Sequence, residues 1–242
     1  VVPVVGRMTA SPVVEGVDLT DTSDIGMTTV SVTASRVALK VILTDDLIFQ
    51  SNDDIFAMVG KQMGEAVARR KDEDGVALFA GFSRNWGIAN QRLTAAVAHD
   101  LIFRGKSNRV GNDMRVIAHP GTLRTLSASL TTLGNATPVA IPVGFTADRI
   151  QKFWTGIMLN MVPFFQTGNI TRDSSDDAVN GFFDKGALGL LTHIGYKTER
   201  DRDISLFAWE VVASARYNFF EIDDNRGVGF TADAVDPTTT ST

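Results

Sequence analysis

An α+β fold is predicted by three features of the chain. Two-residue alternation runs through residues 28 to 34 and again through 37 to 43, one long helical pattern follows from Asp53 to Ala80, and alternation returns at Trp209 to Tyr217. Strands therefore bracket a long helix and a mixed middle. No internal repeat or heptad is visible, so solenoids and coiled coils are not expected.

The opening residues, Val1 to Val5, are β-branched and interrupted by Pro3, which reads as an extended arm. The first residue is Val1 and not Met, as expected after a lost leader or a processing event. An acidic loop with Glu15, Asp18, Asp21 and Asp24 comes next. Thr28, Val30, Val32 and Ala34 then share one face, as do Val37, Leu39, Val41 and Leu43. The phase slips between Ala34 and Val37, which predicts a bulge or bend near Ser35 and Arg36. Residues 12 to 43 read together as a long, mostly solvent-facing β-hairpin arm.

The strongest helix starts after Ser51 or Asn52, either of which suits an N-cap, with Asp53 and Asp54 in the first turn where the dipole favours acids. Its apolar stripe is Ile55, Val59, Met63 and Val67. Continued to Ala80 it would be roughly 40 Å long at 1.5 Å per residue. Gly60 and Gly64 would let another backbone approach, and Gly75 marks a place to bend or break. A second helix is expected from Gln91 to Arg104, closed by Gly105.

Residues 114 to 118 read as a buried strand. His119-Pro120-Gly121 turns from it into a helix carrying Leu123, Leu126 and Leu130 and closing at Gly134. A loop over 135 to 144 precedes a short helix with Ile150, Phe153 and Trp154. Residues 157 to 165 read as a strand that Pro163 ends or confines to a sheet edge. A polar loop is expected from Gln166 to Asn180. Trp209, Val211, Ala213, Ala215 and Tyr217 form one strand face; a turn at 223 to 227 leads to a short strand, Val228 to Ala232. The tail from Asp236 is expected to be disordered.

With 242 residues, 44% of them hydrophobic, the chain can bury a substantial core as one large domain or two smaller ones. Its apolar runs fall far short of the roughly 20 residues of a membrane helix, which predicts a soluble chain. With zero cysteines it can form neither a disulfide framework nor a thiolate zinc site. A net charge of -5 disfavours direct binding to phosphate backbones, leaving weak or indirect contact with nucleic acid.

Chemistry is sparse. His99, His119 and His193 are scattered with no metal-ligand spacing, and His119 before Pro120 reads first as a turn residue. The pairs Asp45-Asp46, Asp53-Asp54, Asp176-Asp177 and Asp223-Asp224 lack the alternating acids and central Gly of a hard-cation loop. They read as helix N-terminal acids, turns or solvated faces. No nucleophile elbow, phosphate loop or dinucleotide fingerprint occurs. The clusters Arg69-Arg70-Lys71 and Arg104-Gly105-Lys106 suit helix ends better than a nucleic-acid face. The series Glu199, Arg200, Asp201, Arg202, Asp203 suits either a strand edge guarded against aggregation or docking to complementary charges.

Taken in order, Val14-Glu15-Gly16, the acidic loop, Val30 to Thr33, Val37 to Val41 and Thr44 to Ile48 resemble the extended-loop hairpin of tailed-phage major capsid proteins of the Hong Kong 97-type fold. Asp53 to Gly81 resembles that family's spine helix, and Val116 to Pro120 with Leu123 and Leu126 its axial strand and helix. Lys185 to Leu188, Val211 to Tyr217 and Gly227 to Phe230 resemble the return through the peripheral domain and back into the axial one. The resemblance implies an N-terminal arm at 1–11, a hairpin at 12–45, a peripheral domain at 46–90 and 186–224, an axial domain at 91–185 and 225–235, and a flexible tail at 236–242.

It further implies a non-enzymatic coat protein of the virion, assembled in the host cytoplasm, whose hexamers and pentamers build an icosahedral head around double-stranded DNA. No catalytic residue, metal or cofactor is expected. Glu15, Asp18, Asp21, Asp24, Arg36 and Lys40 of the hairpin would touch neighbours, as would Glu199, Arg200, Asp201, Arg202 and Asp203 of the peripheral domain, with Ile55, Val59, Met63 and Val67 as the spine-helix core. Decoration, scaffolding and portal proteins are the further partners implied, and no membrane. Some relatives crosslink a hairpin Lys to an Asn; Lys40 lies in the hairpin, but no matching residue can be placed. Encapsulins share the fold and hold enzyme cargo, but tend to begin with a helix where this chain has Val1 to Val5. A small α/β enzyme using His119 and a nearby Asp is the alternative of another class.

Overall fold

The structure, a computed structural model, describes residues 2–5, 15, 27–51, 54–87, 89–108, 110–111, 113–136, 157–159 and 162–235. The expected helix with Ile150, Phe153 and Trp154, most of the acidic loop and the tail lie outside these residues. In chain order the elements are β1 (Val2–Val5), β2 (Met27–Val30), β3 (Ser35–Thr44), α1 (Asp45–Gln50), α2 (Ile55–Ala77), β4 (Asn85–Gly87), α3 (Ala95–Ser107), β5 (Met114–Ala118), α4 (Pro120–Ala136), β6 (Ile157–Leu159), β7 (Val162–Gln166), β8 (Asp177–Asp184), β9 (Leu188–Asp203), β10 (Ala208–Glu221) and β11 (Gly227–Asp233). The α+β class holds.

The front of the chain is paired differently from the expected single hairpin. β2 pairs antiparallel with β1, while β3 joins the three-stranded sheet β3-β10-β9 with Thr44 opposite Ala208 and Ser35 opposite Tyr217. The reason is burial. β3 carries Leu43 into a core, with Val37 and Val41 packed against it, so it belongs to a sheet with a covered face. The Ser- and Thr-rich residues before it do not. Residues 31 to 34 form an extended link, held where Asn218 Nδ2 donates to Thr33 O at 2.9 Å and Arg216 Nε to Ala34 O at 3.1 Å. The phase slip is this link and not a bulge near Ser35 and Arg36; the sheet's register shifts fall between β9 and β10 around Arg216.

α2 lies on that sheet. Asp54, one residue after the acid expected to open the helix, is its N-cap, its carboxylate accepting from Ala57 N at 3.2 Å. Met63 and Val67 are buried, and Ile55 and Val59 pack against the same cluster. From the sheet come Val211, Ala213, Ala215 and Tyr217, with Trp209 meeting Phe56 edge-on at 6.3 Å. Tyr217 donates to Asp74 Oδ2 at 2.9 Å; burial first, and then this bond to a carboxylate, push its hydroxyl up to about 12. Gly75 does not break α2, which runs on to Ala77; a Cβ there would stand 3.3 Å from the Phe219 ring, so the glycine makes room for that ring. A 3-10 turn, Leu78–Gly81, ends the run.

The second sheet has the order β4-β11-β8-β5-β7-β6, with β4 parallel to β11, β5 parallel to β7 and the other pairs antiparallel. Its first strand in the chain, β4, starts at Asn85. α3 starts at a Thr94 cap and runs through Gly105, which was expected to end it. A Cβ at Gly105 would lie 2.2 Å from the Phe182 ring, so this glycine serves helix-to-strand contact and not a cap. Pro163 sits in β7 opposite Met158 of the edge strand β6. α4 extends to Ala136, two residues past Gly134.

Between the two sheets a third cluster gathers Phe79, Phe82, Ile170, Ala178, Ala187 and Ala234. Here β10 ends at Glu221, a 3-10 turn (Asp224–Arg226) follows, and β11 starts at Gly227, where a Cβ would meet the Phe82 ring at 2.0 Å. Glu221 shares a hydrogen bond with Asp224, its Oε1 has no partner, and desolvation first, then the Asp224 and Asp223 carboxylates, push it up to about 7. The folded chain therefore binds a proton at Glu221 that the unfolded chain releases near its ordinary value of 4.5. Its stability contribution is complete below that value and is lost as the pH rises through about 7. Glu221→Gln should flatten this loss: thermal melts from pH 5 to pH 8 should show the parent falling relative to the variant. Parallel curves would contradict the assignment.

Candidate subunit-contact surfaces

The expected contact residues do not form one site. Asp18, Asp21 and Asp24 lie outside the described residues, and Glu15 is exposed. Arg36 stands opposite Arg216 in the β3-β10 pairing, and Lys40 is held within the chain by an ion pair to Glu210. Both are exposed on the sheet face away from α2.

The charge series lies at the end of β9, an edge strand, and the two-residue period separates its signs by face. Arg202 faces the α2 side, opposite Trp209, with its guanidinium 5.4 Å from that ring and bidentate to Asp45 at 3.3 and 2.8 Å. Arg200 shares this face. Glu199, Asp201 and Asp203 point the other way. Glu199 is paired with Lys197, and that hydrogen bond holds it below its usual value. Asp203 accepts from Ser205 Oγ at 2.6 Å, and from the amides of Ser205 at 2.9 Å and Leu206 at 3.3 Å. The Ser205 hydroxyl leads in holding its carboxyl low. Much of the series thus builds its own hairpin end.

What that end displays is apolar. The β9-β10 turn exposes Ile204 (77%), Leu206 (55%) and Phe207 (69%), and Asp45 N donates to Phe207 O at 2.9 Å, which brings α1 alongside with Leu47 and Phe49 (84%) exposed. Phe207 holds a φ of 46°, a region costly for a bulky side chain. The sequence carried the signal, since Ile204-Ser205-Leu206-Phe207 follows the charges directly.

Polar groups in the interior secure backbone. The Asp177 carboxylate accepts twice from Asn90 N, at 2.8 and 3.0 Å; Asp184 takes Asp113 N at 3.0 Å; Asn180 Oδ1 takes His119 N at 2.8 Å. His119 Nδ1 accepts from Gly121 N at 3.1 Å, a turn role. A cleft of about 740 Å³ beside the end of α2 has Arg70 paired with Asp74 at 2.9 Å. Among the described residues, no group of three or more His, Asp or Glu side chains could hold a metal, and no helix is long and apolar enough to cross a membrane.

This architecture, a long helix on a three-stranded sheet joined to a six-stranded mixed sheet, is the fold of phage capsid chains. The capsid of Ralstonia phage GP4 matches with a TM-score of 0.75 at 12% identity, over 99% of this chain and 84% of that one. The capsid of cyanophage P-SCSP1u matches at 0.68 and 14% identity, over 96% and 83%. The holo-SrpI encapsulin complex from Synechococcus elongatus PCC 7942 matches at 0.64 and 12% identity, over 86% and 78%. The sequence matches no family model and no curated protein.

Proposed function

We propose that this chain is a major capsid protein with the Hong Kong 97-type fold, assembling with copies of itself as hexamers and pentamers into the icosahedral head of a phage. The single observation that carries this is the match to the GP4 capsid chain across 99% of the sequence. The sheet of β3, β10 and β9 with α2 serves as the peripheral domain, and the six-stranded sheet with α3 and α4 as the axial one. The β1-β2 ladder, in front of β3, reaches over a neighbouring subunit. A net charge of -5 fits a container that touches packaged double-stranded DNA weakly, and the role is structural, not enzymatic. Scaffolding, portal and decoration proteins are the further partners of such a shell.

Electron microscopy of the purified protein tests this: closed shells are expected, and a chain that stays monomeric across salt and pH would overturn it. The encapsulin match makes a cargo compartment the second reading, and particle contents decide. Packaged DNA supports the phage head; enzyme cargo supports the compartment. Reversing the charges of Asp18, Asp21 and Asp24 should lower particle yield while leaving the thermal melt unchanged. Undiminished yield would remove the arm's acids from the contact.

A further inference from the structure

The chain passes between its two larger sheets three times, from α2 to β4, from β8 to β9 and from β10 to β11. All three passages meet at the last of them. Ile222 N and Asp223 N donate to Ala187 O of the second passage at 2.8 and 3.4 Å, and Arg226 reaches Asp184 at the end of β8 at 3.1 Å. Toward the first passage, Asp224 Oδ1 accepts from Ser83 N at 2.8 Å and Arg84 donates to Asn225 Oδ1 at 3.1 Å. Glu221, the last residue of β10, stands at this joint opposite Leu188, the first of β9. Its side chain hydrogen-bonds to that of Asp224, and its Oε1 is buried with no partner.

Two carboxyl groups can share a hydrogen bond only while one of them keeps a proton. Desolvation first, then the Asp224 bond and the Asp224 and Asp223 charges, keep that proton on Glu221 up to about pH 7. The cations at the joint are committed elsewhere: Arg226 to Asp184 and Asp223 at 3.1 and 3.3 Å, and Arg84 to Asn225, while Lys185 is exposed in the turn between β8 and β9. Once ionised, Glu221 is a third negative charge beside Asp224 and Asp223, and neither of these can step back alone. Asp224 is pinned by Ser83 N, and Asp223 by Arg226 and by the Asn225 amide at 3.0 Å. The repulsion therefore falls on residues 221 to 224, the backbone that joins one sheet to the other. We propose that the proton shared by Glu221 and Asp224 latches the angle between the two sheets, and that its loss frees them to turn about this joint. The latch belongs to the fold of one chain and goes beyond the shell reading: it works in an isolated copy as in a particle.

A distance measured across the joint in the full chain tests it. Because the chain has zero cysteines, Met58→Cys on α2 and Phe103→Cys on α3, at positions 59% and 70% exposed, supply the only thiols for a pair of spin labels. With labelled chains diluted into unlabelled ones, pulsed electron paramagnetic resonance reads the separation within one copy. A narrow distribution is expected at pH 5 and a shifted or broadened one at pH 8, with the midpoint near 7. Glu221→Gln keeps a donor for Asp224 but cannot ionise, so its distribution should hold the pH 5 form throughout. Asp224→Asn still offers an acceptor to Ser83 N and removes a charge beside Glu221, so the midpoint should move down. A parent distribution that ignores pH, a change that persists in Glu221→Gln, or a midpoint unmoved in Asp224→Asn would overturn the latch, whatever microscopy shows of shells.

Discussion

Phe182→Ala is expected to cost about 3–5 kcal/mol, a large share of the roughly 5–15 kcal/mol that holds a domain folded. Phe182 is fully buried in the centre of the six-stranded sheet, opposite Val228 of β11 and Val116 of β5, with the Trp86 ring 6.3 Å away. Its ring fills the space above Gly105 of α3, where a Cβ would stand 2.2 Å from it. Gly105→Ala gives the test its sign. In an unobstructed helix interior the change stabilises by about 0.5–1 kcal/mol; against the ring, overpacking should cost about 1–3 kcal/mol. With Phe182→Ala also present the added methyl has room, so the double variant should be more stable than the sum of the two losses by about 0.5–3 kcal/mol. Equilibrium denaturation of the four proteins measures this. Simple additivity would show that ring and glycine do not meet.

The parts of this fold that sequence disclosed are those with one buried face. The α2 stripe and the β10 alternation each turn a single side to the same core, so their periods of 3.6 and 2 stand out. β8 was hidden because Asp177, Asn180, Gly181 and Asp184 interrupt it. Its acids and amide are buried to satisfy backbone N–H groups from Asn90, His119 and Asp113, partners that only the tertiary fold brings close. β9 was hidden for the opposite reason: it is exposed over most of its length, and without a buried face no apolar period arises. β3 was recognised as a strand but given its neighbour in sequence as partner, when its ladder is completed by β10 more than a hundred residues later. For the contact surfaces, the charge series was visible and its two-faced arrangement was implicit in strand geometry. The adjoining apolar turn gains its meaning only once α1 and the strained Phe207 are placed beside it.

Met63→Asp should abolish the packing of α2 on its sheet. Met63 is 1% exposed, set among Leu43, Val67, Val211, Ala213 and Tyr217. An unpaired carboxylate there loses the apolar contacts of the methionine and its own hydration, a combination that places the loss at about 4 kcal/mol or beyond. Met58 stands on the same helix about 140° away at about 100° per residue, and it is 59% exposed, so Met58→Asp should stay within about 0.5 kcal/mol of the parent. Acidity adds a second signature. Burial raises the pKa of the introduced carboxyl, so the folded variant retains its proton where the unfolded chain does not, and its deficit against the parent should widen from pH 4 to pH 7. Denaturant midpoints for the two variants at both pH values are the measurement. Equal midpoints would place Met63 on the solvent side of α2 and remove the helix from the core that supports the proposed subunit contacts.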